Sequence, residues 1–251
     1  MTVPAGYVRI GGGRVRAVVR ADLASALGAW LLAPRLVLPP DARPLGAGRG
    51  AAWATTLAGT PVVVRLGRRG GVVARLVRQT YLGLRPRPLR ELAVTVEARR
   101  RGVAVPEVLA ARVEGRLAYR SALVTAAVPD AATLIEAFAK SDGAAARRDL
   151  AARAGRAVAV LHDAGIRHAD LNLTNILVHP GGDGPAIVLV DLDRARLGRG
   201  PLGARARRGN LARLARSARK LDPTGVLAGV EERRAFLRGY APGPAEGVCG
   251  C

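Results

Sequence analysis

Lysine is almost missing from this chain: Lys140 and Lys220 are the only two, so any cation needed in the first half must be an arginine. Aromatic residues make up 3% of the sequence, which leaves few platforms on which nucleic-acid bases could stack. Cysteine is confined to Cys249 and Cys251 in the terminal G-V-C-G-C. Without a histidine or cysteine cluster beside it, that C-x-C reads as an unpaired, reduced tail, and nothing points to an oxidising compartment. No apolar run reaches the roughly 20 residues that cross a bilayer. The best candidate, Leu23 to Leu38, is broken by Pro34 and Arg35. With no apolar leader at the N-terminus, the expectation is a protein that starts out soluble and cytosolic.

Positive charge is abundant. Against 19 acidic residues stand 40 basic ones, a formal net charge of +21. A pI near 11.7 points to a polyanionic partner, either nucleic acid or an anionic membrane surface with its phosphorylated lipids. With 251 residues, 49% of them hydrophobic, the chain can bury a sizeable core as one bilobal unit or two small domains.

The chemistry concentrates between His168 and Asp193, in H-A-D-L-N-L-T-N-I-L-V, a Gly/Pro turn, and I-V-L-V-D-L-D. Ile176 to Val178 and Ile187 to Val190 are short apolar runs that predict two buried strands. Between them H-P-G-G-D-G-P favours a reversal. Antiparallel pairing about Asp183 would set Asn175 opposite Asp191, with Asp170 one loop upstream of the same end. Two carboxylates and an amide carbonyl there suit a hard cation such as Mg²⁺ carrying phosphates.

Upstream, P-L-G-A-G-R-G-A-A-W places Gly46, Gly48 and Gly50 at alternate positions ahead of a strand over Val62 to Leu66. Such a loop lets backbone N–H groups approach phosphates without Cβ obstruction, and it also suits a plain hairpin turn. R-V-R-A-V-V-R before residue 20 alternates as a strand. Asp22 is placed to cap a helix carrying Leu23, Leu27, Trp30 and Leu31. Helices are predicted over Leu89–Arg101, Leu134–Lys140, Arg147–Ala164 and Val230–Tyr240, with strand patterns at Arg112–Tyr119 and Ala122–Ala127. Asn210 to Leu221 follows a Gly/Pro/Arg loop as an amphipathic basic helix.

The His168–Asp193 block resembles the catalytic core of protein kinases, H-R-D-L-x-x-x-N followed by D-F-G. His168, Asp170, Leu171 and Asn175 match; Ala169 replaces the arginine, and Leu192-Asp193 replace Phe-Gly. H-A-D-L-N with D-x-D-R, here Asp191 to Arg194, is similar more closely to the lipopolysaccharide kinases, the 3-deoxy-D-manno-octulosonic acid (Kdo) kinases in particular. Arg68 to Gly71 and the basic helix after residue 209 match that resemblance too. It implies an α+β, bilobal protein-kinase-like fold, with a β-rich N-lobe over 1–128 and a helical C-lobe over 129–251.

The resemblance further implies ATP-dependent phosphorylation of the Kdo sugar of Kdo-lipid A at the hydroxyl of position 4. Asp170 would act on the acceptor hydroxyl, Asn175 and Asp191 would hold Mg²⁺, and His168 would support the loop. Arg65 would take the place of the phosphate-holding lysine, with Glu91 as its partner, and the Gly46/Gly48/Gly50 loop would cover the nucleotide. Arg65 at the edge of a sheet is the plainer alternative. Asp193 would bind a second metal or anchor Arg194. The expected partners are Kdo-lipid A and an anionic membrane surface at the cytoplasmic face of the inner membrane, with no specific nucleic acid. The rivals are a heptose or other small-molecule phosphotransferase of the same fold, and a basic nucleic-acid-binding protein with a degenerate kinase core.

Overall fold

The computed structural model describes residues 2–45, 52–67, 81–82, 86–116 and 118–241. Gly46, Gly48 and Gly50, the Arg68–Gly71 segment and the Cys249–Cys251 tail lie outside the described residues. The chain divides into two compact units, Met1–Glu97 with Pro106–Ala127, and Ala98–Val105 with Val128–Cys251.

The first unit is an antiparallel sheet with two helices. Its strands are β1 (Tyr7–Gly12), β2 (Val15–Arg20), β3 (Arg43–Pro44), β4 (Ala52–Leu57), β5 (Thr60–Leu66), β6 (Tyr81–Leu82), β7 (Val108–Gly115) and β8 (Ala118–Ala126). Helix α1 (Ala24–Leu32) follows β2, and α2 (Arg87–Arg100) follows β6. The strand order is β1-β2-β7-β8-β5-β4-β3, with β6 pairing a further stretch of β8. Strand alternation sorts the apolar side chains into two clusters. Ala17, Val19, Val62, Val64 and Val124 collect around Leu27 and Leu31 of α1, whereas Val18, Ala111 and Leu123 collect around Leu92 of α2.

Asp22 does not cap α1. A short 3₁₀ turn at Ala21–Leu23 precedes the helix, and the Asp22 carboxylate is taken by Arg20 at 2.7 and 2.8 Å. An adjacent guanidinium wins over a backbone N–H because both partners are charged. At the other end of α1, buried Arg112 donates to the carbonyls of Leu31 and Ala33 at 2.8 and 2.6 Å. That satisfies acceptors the helix terminus leaves open. Strand β7 begins at Val108, four residues earlier than the alternation suggested, because the apolar run V-L-A-A is buried on both faces of the sheet.

The second unit holds β9 (Ala132–Thr133), α3 (Leu134–Lys140), α4 (Gly143–Asp163), β10 (Ile166–Arg167), β11 (Ile176–His179), β12 (Ala186–Leu189), β13 (Arg196–Leu197), α5 (Ala204–Leu221) and α6 (Val230–Tyr240). Thr133 and Glu136 form a capping box that starts α3. Helices α4 and α6 meet backbone to backbone at two glycines. A Cβ on Gly155 would stand 2.1 Å from the Phe236 carbonyl oxygen, and one on Gly239 would stand 2.0 Å from that of Ala152. Helix α5 starts six residues before the predicted Asn210, since A-R-A-R-R continues the helix and a single glycine, Gly209, does not end it.

Strands β11 and β12 pair with Ile176 opposite Leu189 and His179 opposite Ala186. This register is one residue off the predicted one: Asn175 faces Val190, whose N–H donates to the Asn175 carbonyl at 3.0 Å, rather than Asp191. Closure around Gly182-Asp183 instead of around Asp183 alone accounts for the slip. Asp191 then lies just beyond the ladder, at φ 64°.

Candidate active site

Within the second unit the loop from His168 to Asn175 alternates anchors with exposed polar groups. Leu171 and Leu173 are buried, and so is His168, while Asp170 stands exposed between them. The His168 imidazole defines its own tautomer. Nδ1 accepts the N–H of Asp170 at 3.0 Å, so Nε2–H donates to the Val190 carbonyl at 3.0 Å. One neutral ring thereby ties the Asp170 segment to the strand end that carries Asp191. Burial pushes the pKa of His168 below the ordinary histidine value, which keeps both roles intact at neutral pH.

Asn172 organises the other end of the loop. Its Oδ1 accepts from the N–H groups of Thr174 and Asn175 at 2.9 and 3.0 Å, starting the 3₁₀ turn Leu173–Asn175. The Asn175 amide donates Nδ2–H to the Asp170 carbonyl at 2.9 Å. That bond fixes the amide orientation and leaves Oδ1 as the acceptor face. Among the described residues no group of three or more His, Cys, Asp or Glu could hold a metal. A cation here would therefore depend on the Asn175 carbonyl together with Asp191, an all-oxygen set that fits a hard divalent ion. Asp191 Oδ1 also accepts the N–H of Asp193 at 3.4 Å, and Asp193 lies 3.6 Å from Arg194.

A polar network beneath the loop escaped the sequence. Asn210, on α5, holds both backbone groups of His168: its Oδ1 accepts the N–H at 3.0 Å and its Nδ2 donates to the carbonyl at 2.8 Å. The same Oδ1 lies 3.2 Å from His162 Nε2, and His162 Nδ1 lies 2.8 Å from the Tyr240 hydroxyl. Arg207 donates to that hydroxyl at 3.3 Å, so Tyr240 gives its proton to Nδ1 and His162 Nε2–H points at Asn210. His162 is fully buried, and burial lowers its pKa to about 4. Its part is structural. Two more α5 residues reach the loop: Arg213 Nη1 donates to Asp170 Oδ1 at 3.4 Å, and Ser217 Oγ accepts the Leu173 N–H at 3.2 Å. The signal for all three is their i, i+3, i+7 spacing, which puts them on one helix face.

In the first unit, Arg65 on β5 forms an ion pair with Glu91 on α2, its Nη2 donating to both carboxylate oxygens. Glu91 is buried and Arg65 is partly exposed. The model of the lipopolysaccharide kinase (Kdo/WaaP) family matches residues 44–240. The chain belongs to that family. As a lipopolysaccharide kinase it is 33% identical over 177 residues to the 3-deoxy-D-manno-octulosonic acid kinase of Vibrio cholerae, covering 69% of this chain and 72% of that protein. It is 39% identical over 185 residues to the enzyme of that name from Xanthomonas campestris, covering 72% and 71%.

A solved structure of WaaP in complex with acyl carrier protein aligns with a TM-score of 0.57 at 23% identity, over 82% of this chain and 80% of that one. The likeness gives the fold, which is α+β and protein-kinase-like. The lipopolysaccharide kinase is thus a phosphotransferase with an alcohol group as acceptor, and it serves lipopolysaccharide biosynthesis. Kinase chemistry draws its phosphoryl group from a nucleotide, typically with a metal. Residues 1–43, with β1, β2 and α1, lie ahead of the family match.

Proposed function

We propose that this kinase transfers the γ-phosphoryl group of ATP to the hydroxyl at position 4 of the Kdo sugar of Kdo-lipid A. The observation that carries the reading is the exposed Asp170 carboxylate on a loop whose backbone is held at His168, Asp170, Leu173 and Asn175. The relatives at 33% and 39% identity bear the Kdo kinase name, which supports this acceptor over a heptose. Membership of a kinase family leaves the nucleic-acid reading without support.

In this reading Asp170 accepts the proton of the attacking hydroxyl or orients it, and His168 keeps the carboxylate in place without transferring protons itself. Asn175 and Asp191 would hold Mg²⁺, which supplies charge neutralisation to the phosphoryl group in flight. Arg65, fixed by Glu91, would bind the nucleotide phosphates, and the first unit, Met1–Glu97 with Pro106–Ala127, would form the nucleotide lobe. The Gly46, Gly48 and Gly50 loop would cover those phosphates, and residues 129–251 would bind the acceptor. Asp193 would anchor Arg194, a role supported by their 3.6 Å pair.

The acceptor is a membrane lipid, so the enzyme would work as a peripheral protein on the cytoplasmic face of the inner membrane. Two features support this. Helix α5 carries seven basic residues and no acidic one. From its last residue onward, Leu221, Val226, Val230 and Leu237 are 43%, 67%, 62% and 48% exposed, four aliphatics within 17 residues of sequence. Basic side chains flanking exposed aliphatics suit an anionic interface, at ~1 kcal/mol per well-placed cation. No helix among the described residues is long and apolar enough to cross a membrane. The test incubates the purified protein with labelled ATP, Mg²⁺ and Kdo-lipid A in anionic vesicles and locates the phosphate. Label on the 4-hydroxyl of Kdo is expected; label on another sugar, or none, overturns the acceptor assignment.

A further inference from the structure

One face of α5 reads the catalytic loop residue by residue. Asn210 meets the His168 backbone, Ser217 meets the Leu173 N–H, and Arg213 between them meets the Asp170 carboxylate. The outer two contacts are structural, since each satisfies a backbone group. The middle one has another character. Arg213 and Asp170 are 46% and 62% exposed, and their contact is long, at 3.4 Å. An exposed pair of this kind adds little to stability. The loop itself, from His168 to Asn175, contains no lysine or arginine. Among the described residues Arg213 is a cation that the fold brings to the Asp170 carboxylate.

An uncharged alcohol approaching Asp170 needs no such cation. A sugar acid does, because its own carboxylate would be repelled by Asp170. A guanidinium has five N–H donors in a planar fork, and a single donor to Asp170 leaves the rest of the fork for bidentate capture of another carboxylate. We propose that Arg213 is a specificity-determining residue that binds the carboxylate of the acceptor sugar while Asp170 takes its hydroxyl. The inference rests on the sugar-acid acceptor proposed above, and it assigns that acceptor's second point of attachment.

The test has a turnover arm and a binding arm. In the first, Kdo-lipid A is compared with its Kdo methyl ester, using wild-type enzyme, Arg213→Ala and Arg213→Lys. Wild type should lose at least tenfold in kcat/KM on going from acid to ester. Arg213→Ala should show a similarly raised acceptor KM with either substrate, an ATP KM within twofold of wild type, and partial rescue by added guanidinium. Arg213→Lys should fall between, because an ammonium keeps the charge without the fork. In the binding arm, free Kdo and its methyl ester are titrated calorimetrically against wild type and Arg213→Ala, with no turnover required. Wild type should prefer the acid and the variant should not. Equal discrimination by both proteins overturns the inference. So does a variant whose loss lies in the ATP KM, which would direct the guanidinium to the nucleotide phosphates. Absent turnover with the binding difference intact would count against the proposed reaction alone, and unchanged melting temperatures separate either result from misfolding.

Discussion

The Asn210 amide clasps the backbone of His168 from both sides, accepting its N–H at 3.0 Å and donating to its carbonyl at 2.8 Å. With His162 as a further donor to Oδ1, a single buried side chain satisfies three polar groups in the interior. Asn210→Ala leaves all three without their partner. A lost buried hydrogen bond of this kind costs roughly 1–3 kcal/mol, and the groups are coupled, so a net destabilisation of about 3 kcal/mol is expected. Asn210→Asp keeps the acceptor and removes the donor to the His168 carbonyl. It should retain more stability than alanine yet lower kcat at least tenfold. Urea unfolding and initial rates on both variants check the pair of outcomes.

His162 makes the protein sensitive to mild acid. Its pKa falls from 6.5 to about 4 in the folded state because burial penalises the charged ring. Between those values the unfolded chain binds the extra proton, so stability rises with pH; it is fully present above pH 6.5 and is lost as pH falls towards 4. The loss between pH 7.5 and pH 5 should be about 2 kcal/mol, with His168 adding in the same direction. Urea midpoints across that range should show the slope. His162→Gln, which stays neutral, should flatten it.

The family was legible because His168, Asp170, Asn175 and Asp191 combine residue type and spacing, and the family match over residues 44–240 bears it out. The Arg65–Glu91 pair was legible through scarcity: with no lysine before Lys140, an arginine on the strand was the available cation. Asn210 was not, since an uncharged residue in a helix full of arginines reads as part of a solvated face. Nothing local shows that its neighbour across the core is a backbone. The one-residue slip in the β11–β12 register has a similar origin. A six-residue connector of prolines, glycines and Asp183 closes as readily about either centre, and pairing within the sheet decides.

Arg65 offers a direct check on the nucleotide site. Arg65→Ala removes the ion pair with Glu91 and should raise the ATP KM at least tenfold. Arg65→Lys keeps a cation but loses the planar fork, so its effect should be smaller. Nucleotide titration and steady-state rates measure both. An unchanged ATP KM in the alanine variant would move the phosphate-binding role to another basic residue, with Arg68 next in line.

Two glycines in helices should respond with opposite signs to alanine. Gly239 sits on the α4 crossing, where a Cβ would stand 2.0 Å from the Ala152 carbonyl oxygen, so Gly239→Ala should destabilise by about 3 kcal/mol. It should also disturb the neighbouring Tyr240 hydroxyl and, through His162, the catalytic loop. Gly209 lies in α5 with nothing within 4 Å of an added Cβ. Gly209→Ala should stabilise by about 0.5–1 kcal/mol through helix propensity. Thermal melts of the two variants decide the matter.

Asp191 carries the most demanding expectation. It sits at φ 64°, a left-handed conformation that asparagine tolerates better than most residues. Asp191→Asn should therefore keep its fold, with a melting temperature within a few degrees of wild type. What it loses is the carboxylate charge at the place assigned to Mg²⁺, which an amide cannot supply. Turnover should drop by at least 100-fold and stay low as Mg²⁺ is raised. Asp170→Ala should be as inactive yet still bind nucleotide, because the role proposed for Asp170 is on the acceptor hydroxyl. A folded Asp191→Asn enzyme with near-normal rates across the Mg²⁺ range would remove Asp191 from the metal site and leave Asp193 as the carboxylate to test next.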